Sequence, residues 1–234
     1  MLKPLDDKRH PRADIMLGAS LACCAGATNG IALRAAGVFA ASMTGNVSWM
    51  ADQLASGVGR SAAFFAAVIA SFIAGSFCCA CATAGGLRRK QAGVYAVSLL
   101  AESMGIAGCA FVHDAALLCC ALAFLMGWQN SLATTLTGAR VRATHLSGIC
   151  TDVGIELSSL LVSGRTAADV DAPLRWHRIV LSSATIAAFF VGAFLGCLAY
   201  RRLSEFALVF VAAILCGIAA SGYRTATRFQ AGPL

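Results

Sequence analysis

Six apolar runs dominate this chain, at residues 15–33, 61–82, 92–112, 115–135, 179–198 and 206–222. A helix needs about 20 apolar residues to cross the hydrocarbon core of a bilayer, and each run approaches or reaches that length. Glu102 interrupts the third, and Gln129 and Asn130 interrupt the fourth. What lies between the runs is too short for a separate soluble domain. Only 12% of residues are charged and 59% are hydrophobic, whereas a soluble domain averages about 25% charged. The expected fold class is therefore all-α, a polytopic membrane protein with six transmembrane helices in a single domain (1–234). The first run is too long for a secretory signal core, and it reads as a retained helix.

One unit occurs twice. "AGATNGIA" from Ala25 aligns with "MGWQNSLA" from Met126 at an offset of 101, matching Gly26 to Gly127 and Asn29 to Asn130. "MTGNVSWMADQLAS" from Met43 aligns with "LSGICTDVGIELSS" from Leu146 at an offset of 103, matching Thr44 to Ser147, Gly45 to Gly148 and Gln53 to Glu156. Each half reads as an apolar helix, a short polar segment, then two more apolar helices (repeat 1 about 14–112, repeat 2 about 115–222). The polar segments are too short to span lipid, yet they are amphipathic at helical spacing. Each is expected to be a half-helix that starts inside the fold, with Thr44 and Ser147 as N-caps.

Charge sets the orientation. With six crossings and a cytoplasmic N-terminus, only Arg34, Arg60, Arg201 and Arg202 lie outside, so 14 of the 18 Lys and Arg residues lie inside. That satisfies the positive-inside bias and puts both termini in the cytoplasm. Three crossings per repeat is an odd number, so the repeats are inverted, the plan of many secondary transporters. The net charge of +7 comes from these flanking residues, not from a patch, so no nucleic-acid partner is expected.

Two stretches carry a family resemblance. "SMTGN" (42–46) and "GWQNSLATTLTGARVRATHLSGICTDVGIEL" (127–157) resemble the YoaK family of bacterial inner-membrane proteins, a domain-of-unknown-function family. Gln129, Asn130, Arg142, Thr144, His145, Gly148, Thr151, Asp152 and Gly154 fall on its pattern. Members often carry an acidic residue near Asn29, where this chain has "ATNG". The resemblance implies a six-helix protein of the bacterial inner membrane and supplies no activity.

The expected chemistry is transport. Asn29, Gln129 and Asn130 are polar groups at membrane depth, and the first turns at Thr44, Gly45, Asn46, Ser147 and Gly148 offer N–H groups to a small polar or anionic solute. The rival reading of the asparagines is hydrogen-bonded packing between helices. His145, Asp152 and Glu156 are the candidates for proton coupling, with Asp52 and Glu102 as further ionisable groups. Asp152 and Glu156 share a helical face, and neutralising either should abolish pH-driven uptake. The eleven cysteines read as small apolar residues. Only Cys78 and Cys81 have C-x-x-C spacing, so neither a metal nor a cofactor is expected. Hydrolase motifs such as H-E-x-x-H and G-x-S-x-G are missing, so no enzyme is expected. The expected partners are the lipid bilayer and a second copy of the chain, as a homodimer. The alternative function is a non-transporting assembly or sensor protein.

Overall fold

Alanine, leucine and cysteine fill the apolar runs, and proline stays out of helix interiors: Pro11 opens the first helix and Pro173 falls in the first turn of the seventh, positions where the missing N–H costs little. The computed structural model describes residues 11–88, 93–137, 144–162 and 172–230. They form α1 (Pro11–Ala36), α2 (Met43–Ala55), α3 (Gly59–Arg88), α4 (Val94–Cys109), α5 (Ala115–Thr137), α6 (Leu146–Val162), α7 (Ala172–Leu203) and α8 (Ala207–Gln230). A 3-10 turn, Ser204–Phe206, joins the last two. No strand occurs among the described residues. Lys3, Lys8, Arg9, Arg89, Lys90, Arg140, Arg142 and Arg165, which enter the charge argument, lie outside them.

Helix lengths depart from expectation in one place. Ile15–Ala36, Gly59–Arg88, Ala115–Thr137 and Leu174–Arg224, the last covering α7 and α8, are long and apolar enough to cross a membrane. The run at 92–112 yields only the 16 residues of α4, which rise about 24 Å. Gly93 starts it in the left-handed region at φ +71°, and the chain leaves it through turn bonds at Ala110, Phe111 and Val112.

Helix directions follow from close contacts. α1 and α7 run parallel: Gly26 meets Phe189, and one turn on Gly30 meets Ala193. α3 and α5 run parallel as well. Val68 packs with Cys119 and Ala123, Gly75 meets Phe124, and Cys79 lies beside Ser131. α4 and α8 run antiparallel, since Gly93 meets Tyr223, Ser103 Oγ donates to Ala212 O at 2.7 Å, and Phe111 stacks edge-on with Phe206. α4 runs antiparallel to α5, since Ser98 meets Trp128 and Gly105 meets Leu125, and therefore antiparallel to α3. α7 turns back into α8 through the 3-10 turn, so α3 and α7 point in opposite directions. By their parallel partners, α1 and α5 do too.

Four glycines let the parallel pairs touch backbone to backbone. A Cβ on Gly26 would lie 2.1 Å from Phe189 O, and one on Gly192 would lie 2.0 Å from Cys23 O. The other pair matches: a Cβ on Gly127 would lie 2.0 Å from Phe72 O, and one on Gly75 would lie 1.9 Å from Phe124 O. Phe72 and Gly75 lie 117 residues before Phe189 and Gly192, so the alignment of the halves extends to α3 and α7. Small residues that permit such approach drive helix association where the surrounding lipid removes the hydrophobic incentive. The core is apolar, with Leu21, Leu99, Leu122, Met126, Leu132 and Leu215 fully buried. The outer surface is apolar too: Ile73, Phe77, Phe190, Phe194 and Phe210 are exposed, an exterior suited to acyl chains and not to water.

Candidate functional site

α1 stops at Gly37, whose φ of +69° favours a residue without Cβ, and the Gly37 N–H donates to Leu33 O at 2.9 Å. The chain then doubles back along the helix it has just left. Two turns below the end of α1, Asn29 Oδ1 accepts the Ala41 N–H at 3.0 Å, and α2 begins at that level. In the second half, Asn130 Nδ2 donates to Thr144 Oγ1. Ala41 and Thr144 differ by 103 and the asparagines by 101, so the same fastening recurs at matched positions. Asn46 adds a bond from its amide to Phe39 O at 2.8 Å, where its counterpart Ile149 offers only apolar burial.

Thr44 and Ser147 are not the N-caps that the sequence suggests. Ser42 precedes α2 and makes no side-chain cap bond, and α6 starts at Leu146, with His145 O accepting the Ile149 N–H. Thr44 and Ser147 instead lie in the first turns, where Ser48 Oγ donates to Thr44 O and Thr151 Oγ1 donates to Ser147 O, both at 3.1 Å. The reason is the turn preceding each helix: a bond to an asparagine or to its hydrogen-bonded threonine already fixes the entry, one or two residues earlier.

Between the two helix starts lies a cavity of about 360 Å³, within the range of small-molecule sites. Asn29 and Thr44 line it from the first half, and Asn130, His145, Ser147 and Gly148 from the second. Phe39, Phe72 and Phe189 complete the wall. The starts of α2 and α6 both line this space. Phe72 and Phe189 stand near the middle of α3 and α7, so each half-helix runs from mid-depth to the start of the helix that follows it. Among the described residues, no carboxylate lines the cavity. Its polar surface is made of amides, hydroxyls and one imidazole, joined by first-turn N–H groups that lack partners within their helices.

The other predicted residues lie elsewhere. Gly45 faces Ser42 and Phe39, and Asn46 is buried behind the turn. Gln129 is buried where α5 crosses α1, its Nε2 donating to Leu21 O at 3.5 Å. Asp152 is exposed, and Glu156 accepts a bond from Arg178 Nη1 at 3.0 Å. Both lie beyond the first turn of α6 and outside the cavity. The phenylalanines were missed by the sequence reading. Their signal is F-x-x-G, written "FIAG" at Phe72 and "FFVG" at Phe189.

Several long apolar helices with an apolar exterior make this a multi-pass membrane protein. A family model described as "Protein of unknown function (DUF1275)" matches residues 17–221, and the chain belongs to that family. No curated protein and no solved structure matches it.

Proposed function

We propose that this chain is a YoaK-like small-solute permease of the bacterial inner membrane, with its site in the cavity between the two half-helices. It crosses the membrane six times, through α1, α3, α4, α5, α7 and α8, as two inverted repeats in one domain, with both termini cytoplasmic. The opposed directions of α1 and α5, and of α3 and α7, support the inversion. The observation that carries the function is the cavity itself. It lies at the start of both half-helices, where first-turn N–H groups and the helix dipole favour a polar or anionic group.

Purified protein should be stabilised against heat by its solute, because a ligand that binds only the folded state at 100 times its Kd adds about 2.7 kcal/mol. A screen of neutral polar and small anionic solutes should find such a stabiliser. Thr44→Val and Ser147→Ala should remove the shift without lowering the unliganded melting temperature, and vesicle uptake of the same solute should be lost with it. A screen with no stabilising solute, joined to no uptake, favours the non-transporting alternative. That alternative draws on one observation: Asn29 and Asn130 already have structural partners in the fastening turns.

A further inference from the structure

Glu102 lies in the middle of α4, 1% exposed, and neither carboxylate oxygen has a hydrogen-bond partner among the described residues. A buried carboxyl without a counter-charge or hydrogen-bond partner costs far more as the anion than as the neutral acid. Three more buried acceptors lack a partner among the described residues, Thr28 Oγ1, Asn46 Oδ1 and Gln129 Oε1; the first and last concern Glu102. Thr28 and Gln129 stand at the same offset of 101 as the two cavity asparagines, and each immediately precedes one of them.

Glu102, Thr28 and Gln129 lie on α4, α1 and α5, and α5 packs against both of the others. Glu102 is within electrostatic reach of Cys24, and Thr28 lies one turn from Cys24 on the same face of α1. On the other side, Trp128 Nε1 donates to Ser98 O at 3.1 Å and Ser98 Oγ at 3.0 Å. Ser98 is one turn from Glu102, and Trp128 adjoins Gln129. Thr28 is also unlike the other buried threonines. Thr83, Thr137 and Thr185 each donate to the carbonyl four residues back, whereas the Thr28 hydroxyl has no such bond and is free to pass a hydrogen bond onward.

We propose that Glu102 is a proton-binding group that exchanges its proton with the central cavity by way of Thr28 and Gln129, coupling solute passage to proton movement. The coupling role rests on the permease reading above. In the exchange, the Glu102 O–H bond breaks, the proton passes to a water molecule of the cavity, and the electron pair stays on the carboxylate. No oxidation or reduction is involved. The titratable neighbours are Cys24 from α1 and Cys79 from α3. α5 presents Trp128 and Gln129, and α8 packs on α4 through Leu208, Val211, Ala212 and Leu215, none of them titratable.

The test needs no solute, so its failure is distinct from failure of the permease reading. Infrared difference spectra of the purified full-length chain in lipid nanodiscs report the C=O stretch of a protonated carboxyl. At neutral pH the wild type should show this band. Glu102→Gln should lose it, Glu102→Asp should move it, and Asp152→Asn should keep it. On a jump to alkaline pH the wild-type band should disappear, and Thr28→Val and Gln129→Leu should each slow that loss. A band unchanged by Glu102→Gln overturns the assignment. A Glu102 band that persists at every pH makes the residue a sealed structural acid and overturns the exchange. Loss of the band on adding sodium at constant pH assigns the site to a metal cation and also overturns it.

Discussion

Where α8 leans on α1, the α1 positions are Cys23, Cys24, Ala27 and Ile31, and an apolar crevice of about 200 Å³ opens between α1, α7 and α8. Where α4 leans on α5, the matching positions are Phe124, Leu125, Trp128 and Leu132. There the space is filled. Leu125 presses on Gly105, where an added Cβ would come within 2.7 Å of Leu125 Cδ2. Trp128 packs 6.3 Å from Phe124 and ties its indole to Ser98. The two regions have one backbone arrangement and different contents. Backbone contacts at the paired glycines hold the frame, so side-chain volume around it could diverge. The acidic group is also one-sided, because Glu102 has a place in α4 that α8 does not duplicate with a carboxylate.

The sharpest way to break this comparison is to add one methyl at each glycine. Gly26→Ala, Gly75→Ala, Gly127→Ala and Gly192→Ala all push Cβ into a facing backbone carbonyl, which cannot rotate away. Each should cost about 3 kcal/mol, the upper part of the range for overpacking. Gly85→Ala and Gly217→Ala meet nothing within 4 Å and should stabilise slightly, by about 0.5 kcal/mol, through helix propensity. Thermal unfolding in detergent separates the two groups. If one parallel pair tolerates alanine and the other does not, the frame is not shared.

Trp128→Ala recreates in the second half what the first half has. It should open a crevice beside α4 and leave Ser98 without its indole donor. The cost should be about 2 kcal/mol, below that of a tryptophan deleted from a closed core, since Trp128 is only half-buried. The reverse change, Cys24→Leu, fills the first-half crevice and should alter stability by less than about 1 kcal/mol. Melting temperatures of the two variants, measured together, show whether the difference between halves lies in packing alone.

Much of this was legible in the sequence because a doubled unit constrains itself. Asn29 and Asn130 recur at one offset, and the structure gives them one job, fastening the turn before a half-helix. The apolar runs located the long helices for the same reason that bilayers select them. The depth of Glu102 was not legible, since a charge inside an apolar run reads the same whether it faces lipid, partner or cavity. Only the packing of α3, α5 and α8 around α4 places it. The wall residues Phe72 and Phe189 were hidden because phenylalanine is ordinary in such helices, and its pairing with a glycine acquires meaning only once α3 and α7 are seen to occupy matching places. Asp152 and Glu156 looked desolvated from their spacing, but α6 packs mainly against α7, which leaves Asp152 exposed and covers the Glu156 side chain to 13% exposure beside Arg178.

The fastening turns sharpen the comparison further. Asn29→Ala removes the acceptor of the buried Ala41 N–H, which has no other partner among the described residues, and should cost about 1.5 kcal/mol. Asn130→Ala frees the Thr144 hydroxyl, which faces the cavity and can turn to solvent, so its cost should be about 0.5 kcal/mol. Hydrogen exchange at residues 38–46 should rise in the first variant and stay level in the second. Equal losses would show that both turns are sealed from water, against the idea that the cavity admits a polar solute beside Thr144.

The smallest effect belongs to the ion pair of α6 and α7. Glu156 and Arg178 meet at 3.0 Å, with the arginine side chain 58% exposed. The first half has Gln53 where the second has Glu156, and Ser61 where it has Arg178, so the pair has no counterpart there. Gln53 instead donates to its neighbour Asp52 at 3.2 Å. Glu156→Gln therefore gives the second half the first half's residue. The Glu156 side chain is only 13% exposed, but the open arginine end admits solvent screening and costs side-chain ordering, so the loss should be about 0.5 kcal/mol and should shrink in high salt. A double-mutant cycle with Arg178→Gln measures the pair term alone. If Glu156→Gln instead removes a solute's thermal shift or its pH-driven uptake while the cycle stays near zero, Glu156 acts on transport as the sequence first suggested. If stability falls slightly and uptake persists, α6 owes its acidic face to docking on α7, and proton coupling is left to Glu102.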